Sequence, residues 1–183
     1  IDEGIDTGDI ILQRMVPLEE DTQYGDALEL VYGLCAQTLN DSLTQIADGT
    51  APRIPQKYLQ TVGFYCSRRK PGDEWLDWSW PTQRLHNFIR AIAPPGPGAR
   101  FVVGGTTFAA VRSHVPRHSC SYTDVCGSVV GRTGGIDVKT GDTWIHISEV
   151  AEVGGDDRVG PVFQPSWPLG TRLKNGPPYE GAG

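Results

Sequence analysis

This chain of 183 residues has no long apolar run, a single methionine, four cysteines and no surplus of basic residues. Each shortage excludes something. Without about 20 consecutive apolar residues there is no transmembrane helix, and no basic-then-apolar leader stands at the start. Four cysteines (Cys35, Cys66, Cys120 and Cys126) in a chain this long do not make a disulfide scaffold, so reduced thiols and a cytoplasmic setting are expected. Lys and Arg number 16 against 22 Asp and Glu, which argues against a uniformly basic face for nucleic acid. A phosphate-cradling P-loop, a G-x-S-x-G elbow and an H-E-x-x-H pair are all missing, so the commonest phosphate, acyl-serine and zinc-hydrolase chemistries have no signature here.

What is present is unevenly spread. Residues 1–57 carry 3 Lys/Arg against 11 Asp/Glu, residues 58–95 carry 5 against 3, and residues 96–183 carry 8 against 8. The 23 glycines and 14 prolines predict many turns and short strands rather than disorder.

The opening segment, Ile1 to Ile11, packs acidic residues and glycines between apolar flanks. A carboxylate on a Gly-bounded turn that leads into a strand can be aimed into a cleft, because glycine lets the backbone approach a ligand or take positive φ. Asp6 has two readings: an aimed carboxylate, or plain turn chemistry in Asp-Thr-Gly-Asp. The chain also opens on Ile within this loop, so a preceding segment is expected.

Residues 10–16 read as a buried strand ending at Pro17. Glu19 to Thr22 supply acids and a cap for a helix over Tyr24–Ala47, in which Leu28, Val31, Cys35, Leu39, Leu43 and Ile46 recur at helical spacing. Cys35 reads as a small buried thiol in that stripe, and Gly49 suits the left-handed position beyond the helix. Residues 50–72 read as a surface linker, its Arg68-Arg69-Lys70 run as solvated charge. Pro81 starts a short helix whose apolar face is Leu85, Phe88, Ile89 and Ile92, with His86 and Asn87 facing away. Trp75, Trp78 and Trp80 read as packing that locks the linker down, or else as a stacking platform. Arg100–Val103 and Thr106–Arg112 then form a hairpin, and Ser128–Gly131, Ile136–Thr140 and Thr143–Ser148 continue a meander, which suggests a small OB-like barrel. From about Gly154 the Gly/Pro-rich tail is expected to cover the surface or fray.

His114, His118, Cys120 and Cys126 include the ligand types of a zinc site, but no second cysteine follows Cys120 at chelating spacing and Pro116 breaks a helix between the histidines. An ordinary polar loop is expected there, and no metal.

Four segments together resemble the formyltransferases that use N10-formyltetrahydrofolate. They are Gly4-Ile5-Asp6-Thr7-Gly8-Asp9-Ile10-Ile11; Glu20-Asp21-Thr22 with Pro55-Gln56; Arg68-Arg69-Lys70-Pro71 through Asp73, Leu76-Asp77-Trp78-Ser79, Leu85 to Ala91 and Pro97-Gly98-Ala99; and Val138-Lys139-Thr140-Gly141-Asp142. The resemblance covers about residues 1–150. It implies an α/β remnant of a Rossmann-like domain over 1–57, a linker over 58–72, and over 73–183 a C-terminal domain made of a short helix and an OB-like β-barrel.

In this family the formyl group passes to a primary amine, and an Asp orients a His that shuttles the proton while an Asn supports the developing oxyanion. By position Asp6 matches the Asp, and Asp2, Glu3, Gly4, Ile5 and Asp6 match the loop that lines the folate site. The Asn and His fall upstream of Ile1, and none of His86, His114, His118 and His146 matches the family's His, so this polypeptide alone is expected to be inactive. Two acceptors are implied: a nucleotide-linked amino sugar, favoured by the neutral barrel half and the Trp-rich segment, or initiator methionyl-tRNA, favoured by the Gly170-Thr171-Arg172-Leu173 tail. A reading of another class is an OB-like, non-catalytic binding module. The gene product is expected in the cytoplasm, off the membrane.

Overall fold

The computed structural model describes residues 3–59 and 65–176. They divide into two compact units, one of residues 1–19 with 27–69 and one of residues 20–26 with 70–183.

The helix α1 (Tyr24–Ala47) begins in the second unit and from Ala27 onward dominates the first. Its start is capped by Asp26, whose carboxylate accepts from the Gln23 backbone N–H at 2.9 Å, half of a capping box. Its end is a Schellman turn. Gly49 sits at φ 69°, Thr50 N–H donates to Gln45 O at 2.9 Å and Gly49 N–H to Ile46 O at 3.2 Å. The boundaries and the Gly49 end follow the sequence reading, but the cap comes from Asp26 rather than from Glu19–Thr22, and the apolar stripe does not become a core. No residue of α1 is buried, Leu39 and Leu43 are 61% and 57% exposed, and Cys35 is exposed rather than sequestered.

The strand expected over residues 10–16 is absent. Ile10 makes one antiparallel bridge, to Ile54, and the residues after it run extended without a ladder. An apolar run becomes a strand only where a neighbour satisfies its backbone. Among the described residues Ile54 is the one that does. Among the described residues, therefore, a Rossmann-like arrangement is not shown. Residues 12–18 lie along α1 and leave an apolar groove of about 470 Å³ lined by Leu12, Val16, Leu30, Leu34 and Cys35.

The second unit begins its regular structure with α2 (Thr82–Ala91), started by Pro81. Leu85 and Ile89 are fully buried on its inner face. His86 is buried as well, contrary to its expected outward position. Its Nδ1 lies 3.0 Å from Ser113 Oγ and its Nε2 3.2 Å from Glu20 O. After it come β1 (Ala99–Val103), β2 (Thr106–His114), β3 (Val129–Gly131), β4 (Ile136–Lys139), β5 (Trp144–Val153) and β6 (Val159–Phe163). The Gly104-Gly105 turn between β1 and β2 has φ of 58° and 90°, the positive values a tight hairpin turn requires.

The six strands pair antiparallel, in the order β1-β2-β5-β4-β3, with β6 on β5, while Trp75 makes one parallel bridge to Arg100 of β1. The segment Gly170–Asn175 then joins the two ends of that order. Gly170 N–H donates to Val129 O at 2.9 Å, Leu173 N–H to Gly127 O at 2.8 Å, and Lys174 exchanges bonds of 2.9 and 3.0 Å with Val102. The barrel closes through this stretch. The tail is thus structural: it adds β6, and Leu173 is 2% exposed inside the core.

That core gathers Leu76, Trp78, Phe101, Val138, Ile145, Ile147 and Val150 with α2. Trp78 meets Phe101 edge-on at 5.6 Å, and Trp167 meets Phe101 edge-on at 5.9 Å. Two of the three tryptophans before α2 are anchors: Trp78 in the core, Trp80 edge-on to Phe88 at 5.3 Å.

The β4–β5 turn carries a polar node. One Asp142 oxygen accepts from Thr82 N–H at 2.9 Å, Thr82 Oγ1 at 2.7 Å, Thr140 Oγ1 at 3.0 Å and Thr143 N–H at 2.8 Å. A hairpin 60 residues away in sequence thus caps α2. Partial burial pushes the carboxyl up, but the bonds from Thr82, Thr143 and Thr140 outweigh it and bring its pKa down from 3.8 to about 2. A depressed folded-state pKa means that the stabilisation is complete above pH 4 and lost as pH falls from about 4 towards 2. The residue is exposed on its outer side, so solvent screening limits the contribution to about 1–2 kcal/mol. Asp142→Ala should lower stability by that amount at pH 7 and by almost nothing at pH 2, read from urea unfolding at both pH values.

Candidate active-site loop

Residues 3–8 form a bent, exposed loop ahead of Ile10. Gly4 is constrained, because a Cβ there would collide with the Thr7 side chain. Asp6 takes φ 57°, the left-handed region that Asp and Asn tolerate better than other side-chain-bearing residues.

The loop is tied to the segment after α1. Ile10 N–H donates to Ile54 O at 2.9 Å and Ile54 N–H to Ile10 O at 3.1 Å. Two residues further on, Gln56 Nε2 donates to both Asp6 O and Gly8 O, each at 2.9 Å. Beside the loop, Gly8, Asp9, Ile11, Ile46, Gly49, Ala51 and Arg53 line an open cleft of about 490 Å³.

Glu3, Gly4, Ile5 and Asp6 therefore share one loop, all exposed, with Ile5 91% exposed. Asp2 lies outside the described residues. The contact that sequence reading missed is Gln56, noticed there only as part of Pro55-Gln56 in its expected order. Its role depends on the 10–54 register, which no periodicity announces.

The histidines serve the second unit. His146 Nδ1 lies 2.7 Å from Asp137 Oδ1, its ring stacks on His114 at 6.2 Å, and His114 Nδ1 lies 3.5 Å from Asp21 Oδ1. This row joins β4, β5, β2 and the segment before α1. That segment is further held by Arg90 to Thr22 O at 3.2 Å and Gln23 Nε2 to Val111 O at 2.6 Å. Cys120 and His118 are exposed, and among the described residues no group of three His, Cys, Asp or Glu is placed to hold a metal ion. Nor, among them, is any helix long and apolar enough to cross a membrane.

A six-stranded antiparallel barrel carrying one helix, preceded by an acidic loop on a separate unit, defines the class. Residues 68–158 match the family model described as formyl transferase, C-terminal domain. The chain belongs to the formyltransferase family, of which it carries the C-terminal portion. It is 38% identical over 99 residues to a methionyl-tRNA formyltransferase of Symbiobacterium thermophilum, covering 54% of this chain and 29% of that protein. It is 29% identical to a methionyl-tRNA formyltransferase of Carboxydothermus hydrogenoformans, covering 85% of this chain and 49% of that one. The corresponding protein of Syntrophomonas wolfei is 28% identical over 84% of this chain and 48% of its own length. Among solved structures, a variant of HypX from Aquifex aeolicus shares the fold at TM-score 0.55 and 16% identity, covering 84% of this chain and 26% of that one. The chain thus spans between under a third and about half of the curated relatives it matches.

Proposed function

We propose that this chain is part of an enzyme that moves a formyl group from N10-formyltetrahydrofolate to the amino group of methionyl-tRNA. The observation that carries the acceptor is the set of three relatives named methionyl-tRNA formyltransferase, two of which align over more than four fifths of this chain. The amino-sugar acceptor favoured by the neutral charge of residues 96–183 has no such support. Charge counted along a sequence says little about where basic groups gather on a surface, and Arg68 and Lys70 are exposed where they could meet phosphate.

The residues present fit the donor as one edge of a site. Ile5 offers an exposed apolar side chain, Gly4 a backbone free of side chain, and Asp6 an exposed carboxylate, all on a loop whose path Gln56 and Ile54 set. The folate, when bound, supplies the formyl group. The part of Asp6 is to orient and charge-stabilise an imidazole that takes the proton from the attacking amine. In this reading the imidazole is supplied by another part of the enzyme, and none of His86, His114, His118 and His146 is given the role.

The test uses the product of the intact gene with N10-formyltetrahydrofolate and, in parallel, methionyl-tRNA or a panel of nucleotide-linked amino sugars, with formylation read by mass. Formyl-methionyl-tRNA is the expected product. Formylated sugar alone would overturn the acceptor. Binding to nucleic acid without formylation of either acceptor would favour a non-catalytic barrel module.

A further inference from the structure

We infer that Gln56 is a positioning residue for Asp6, an inference that rests on the catalytic reading of Asp6 above. The argument begins with the register. Ile10 and Ile54 pair antiparallel, so residue 56 falls opposite residue 8. In a continued ladder the next bonded pair would be residues 8 and 56, with Gln56 N–H on Gly8 O. Pro55, opposite residue 9, falls at a non-bonded position where its missing N–H removes no ladder bond. Beyond it the backbone turns into a one-turn 3-10 helix (Gln56–Tyr58), in which Tyr58 N–H bonds to Pro55 O at 3.0 Å and Leu59 N–H to Gln56 O at 2.9 Å.

The Gln56 amide takes the place of the missing ladder. Its NH2 has two hydrogens, and both are committed, one to Asp6 O and one to Gly8 O, each at 2.9 Å. The two carbonyls flank Thr7, so one side chain fixes the turn on both sides of the residue after Asp6. The turn it fixes is an unfavourable one. Asp6 holds φ 57°, a left-handed conformation that a residue with a Cβ keeps only where the surroundings impose it. Because the Asp6 carboxylate is exposed, its direction is set through the backbone rather than by side-chain packing. A catalytic carboxylate displaced by about 1 Å can lose on the order of 100-fold in rate. Gln56, which lies 50 residues away in sequence and bonds to the loop's backbone alone, is the group placed to prevent that.

The test has a structural arm and a kinetic arm. In this chain, Gln56→Ala and Gln56→Glu are compared with the parent by NMR. The first removes the donor; the second keeps the length but sets a carboxylate against two carbonyls. Both are expected to lower the Asp6–Gly8 amide order parameters from about 0.85 towards 0.6 or below, with the amides of Leu28–Leu43 unchanged. Unchanged order at Asp6–Gly8 would overturn the clamp. In the product of the intact gene, Gln56→Ala is expected to lower kcat about 10- to 100-fold with a smaller change in KM. It should cost nothing further on top of Asp6→Asn, because the two substitutions remove the same device. Equal losses from Gln56→Ala in the parent and in Asp6→Asn would show independent action and overturn the positioning role. Full turnover by Asp6→Asn itself would instead overturn the catalytic reading of Asp6, a result distinguishable from a failure of the clamp, which the NMR arm reads without activity.

Discussion

A chain ending at Phe163 is expected to lose the cooperative unfolding of its barrel. The deleted segment supplies the stretch that joins β3 to β1. Gly170, Thr171, Leu173 and Lys174 make the closing backbone bonds to Val129, Gly127 and Val102, and Asn175 Oδ1 accepts from Trp78 N–H at 3.1 Å. At about 0.5–1.5 kcal/mol net for each bond, these alone sum to several kcal/mol, and the barrel groups left behind would be orphaned at higher cost. Leu173 and Trp167 leave with the segment, which opens the core beside Phe101. Truncating one such side chain costs about 2–5 kcal/mol. Against a total stability of about 5–15 kcal/mol the sum is decisive. Near-UV circular dichroism and urea unfolding should show a non-native, weakly cooperative state. A milder Leu173→Ala should remain folded but lose about 2–5 kcal/mol. A truncated chain that unfolds as sharply as the parent would mean that the closing stretch contributes little.

That segment is also where sequence reading went astray, and the reason is physical. Residues 164–176 contain Gln-Pro-Ser-Trp-Pro-Leu-Gly, with no period of 2 or 3.6, because each residue of a closing stretch makes a separate contact instead of repeating one. Their partners lie 40 to more than 90 residues upstream, at Gly127, Val129, Trp78 and Val102, so nothing local marks them. Local signals worked where the cause was local. Gly49, Pro81 and the Gly104-Gly105 pair act on their own neighbours, and the end of α1, the start of α2 and the first hairpin follow. The failure at residues 10–16 has the opposite form. Their apolar run is a sound strand signal, but a strand is a property of a pair. His86 shows a third case: helical spacing put it facing away from the apolar face, yet Ser113 and Glu20 satisfy its nitrogens and it is buried. Within the candidate site, Asp6 was visible as an acid in a Gly-rich turn. Gln56 was not visible as its clamp, because the clamp exists only through the 10–54 pairing.

Asp6→Asn in the product of the intact gene is expected to lower kcat on the order of 10²- to 10⁴-fold, the range a positioned proton-transfer arrangement supplies. The substitution isolates charge. Asn tolerates the left-handed φ of 57° as well as Asp does, and the backbone carbonyl that Gln56 grips is unchanged, so the loop should keep its course. Asp6→Ala removes the charge and also strains the turn by about 1–2 kcal/mol, so it should be slower still and less stable. The pH profile gives a sign that simple misfolding would not. A carboxylate beside an imidazole raises the pKa of that imidazole. Without it the base sheds its proton at lower pH, and the acidic limb of kcat/KM should move down in Asp6→Asn while the alkaline limb stays. A uniform fall in rate with an unmoved acidic limb would mean that Asp6 does not face the proton-shuttling base. The loop would then serve the folate by shape alone, through the exposed Ile5 side chain.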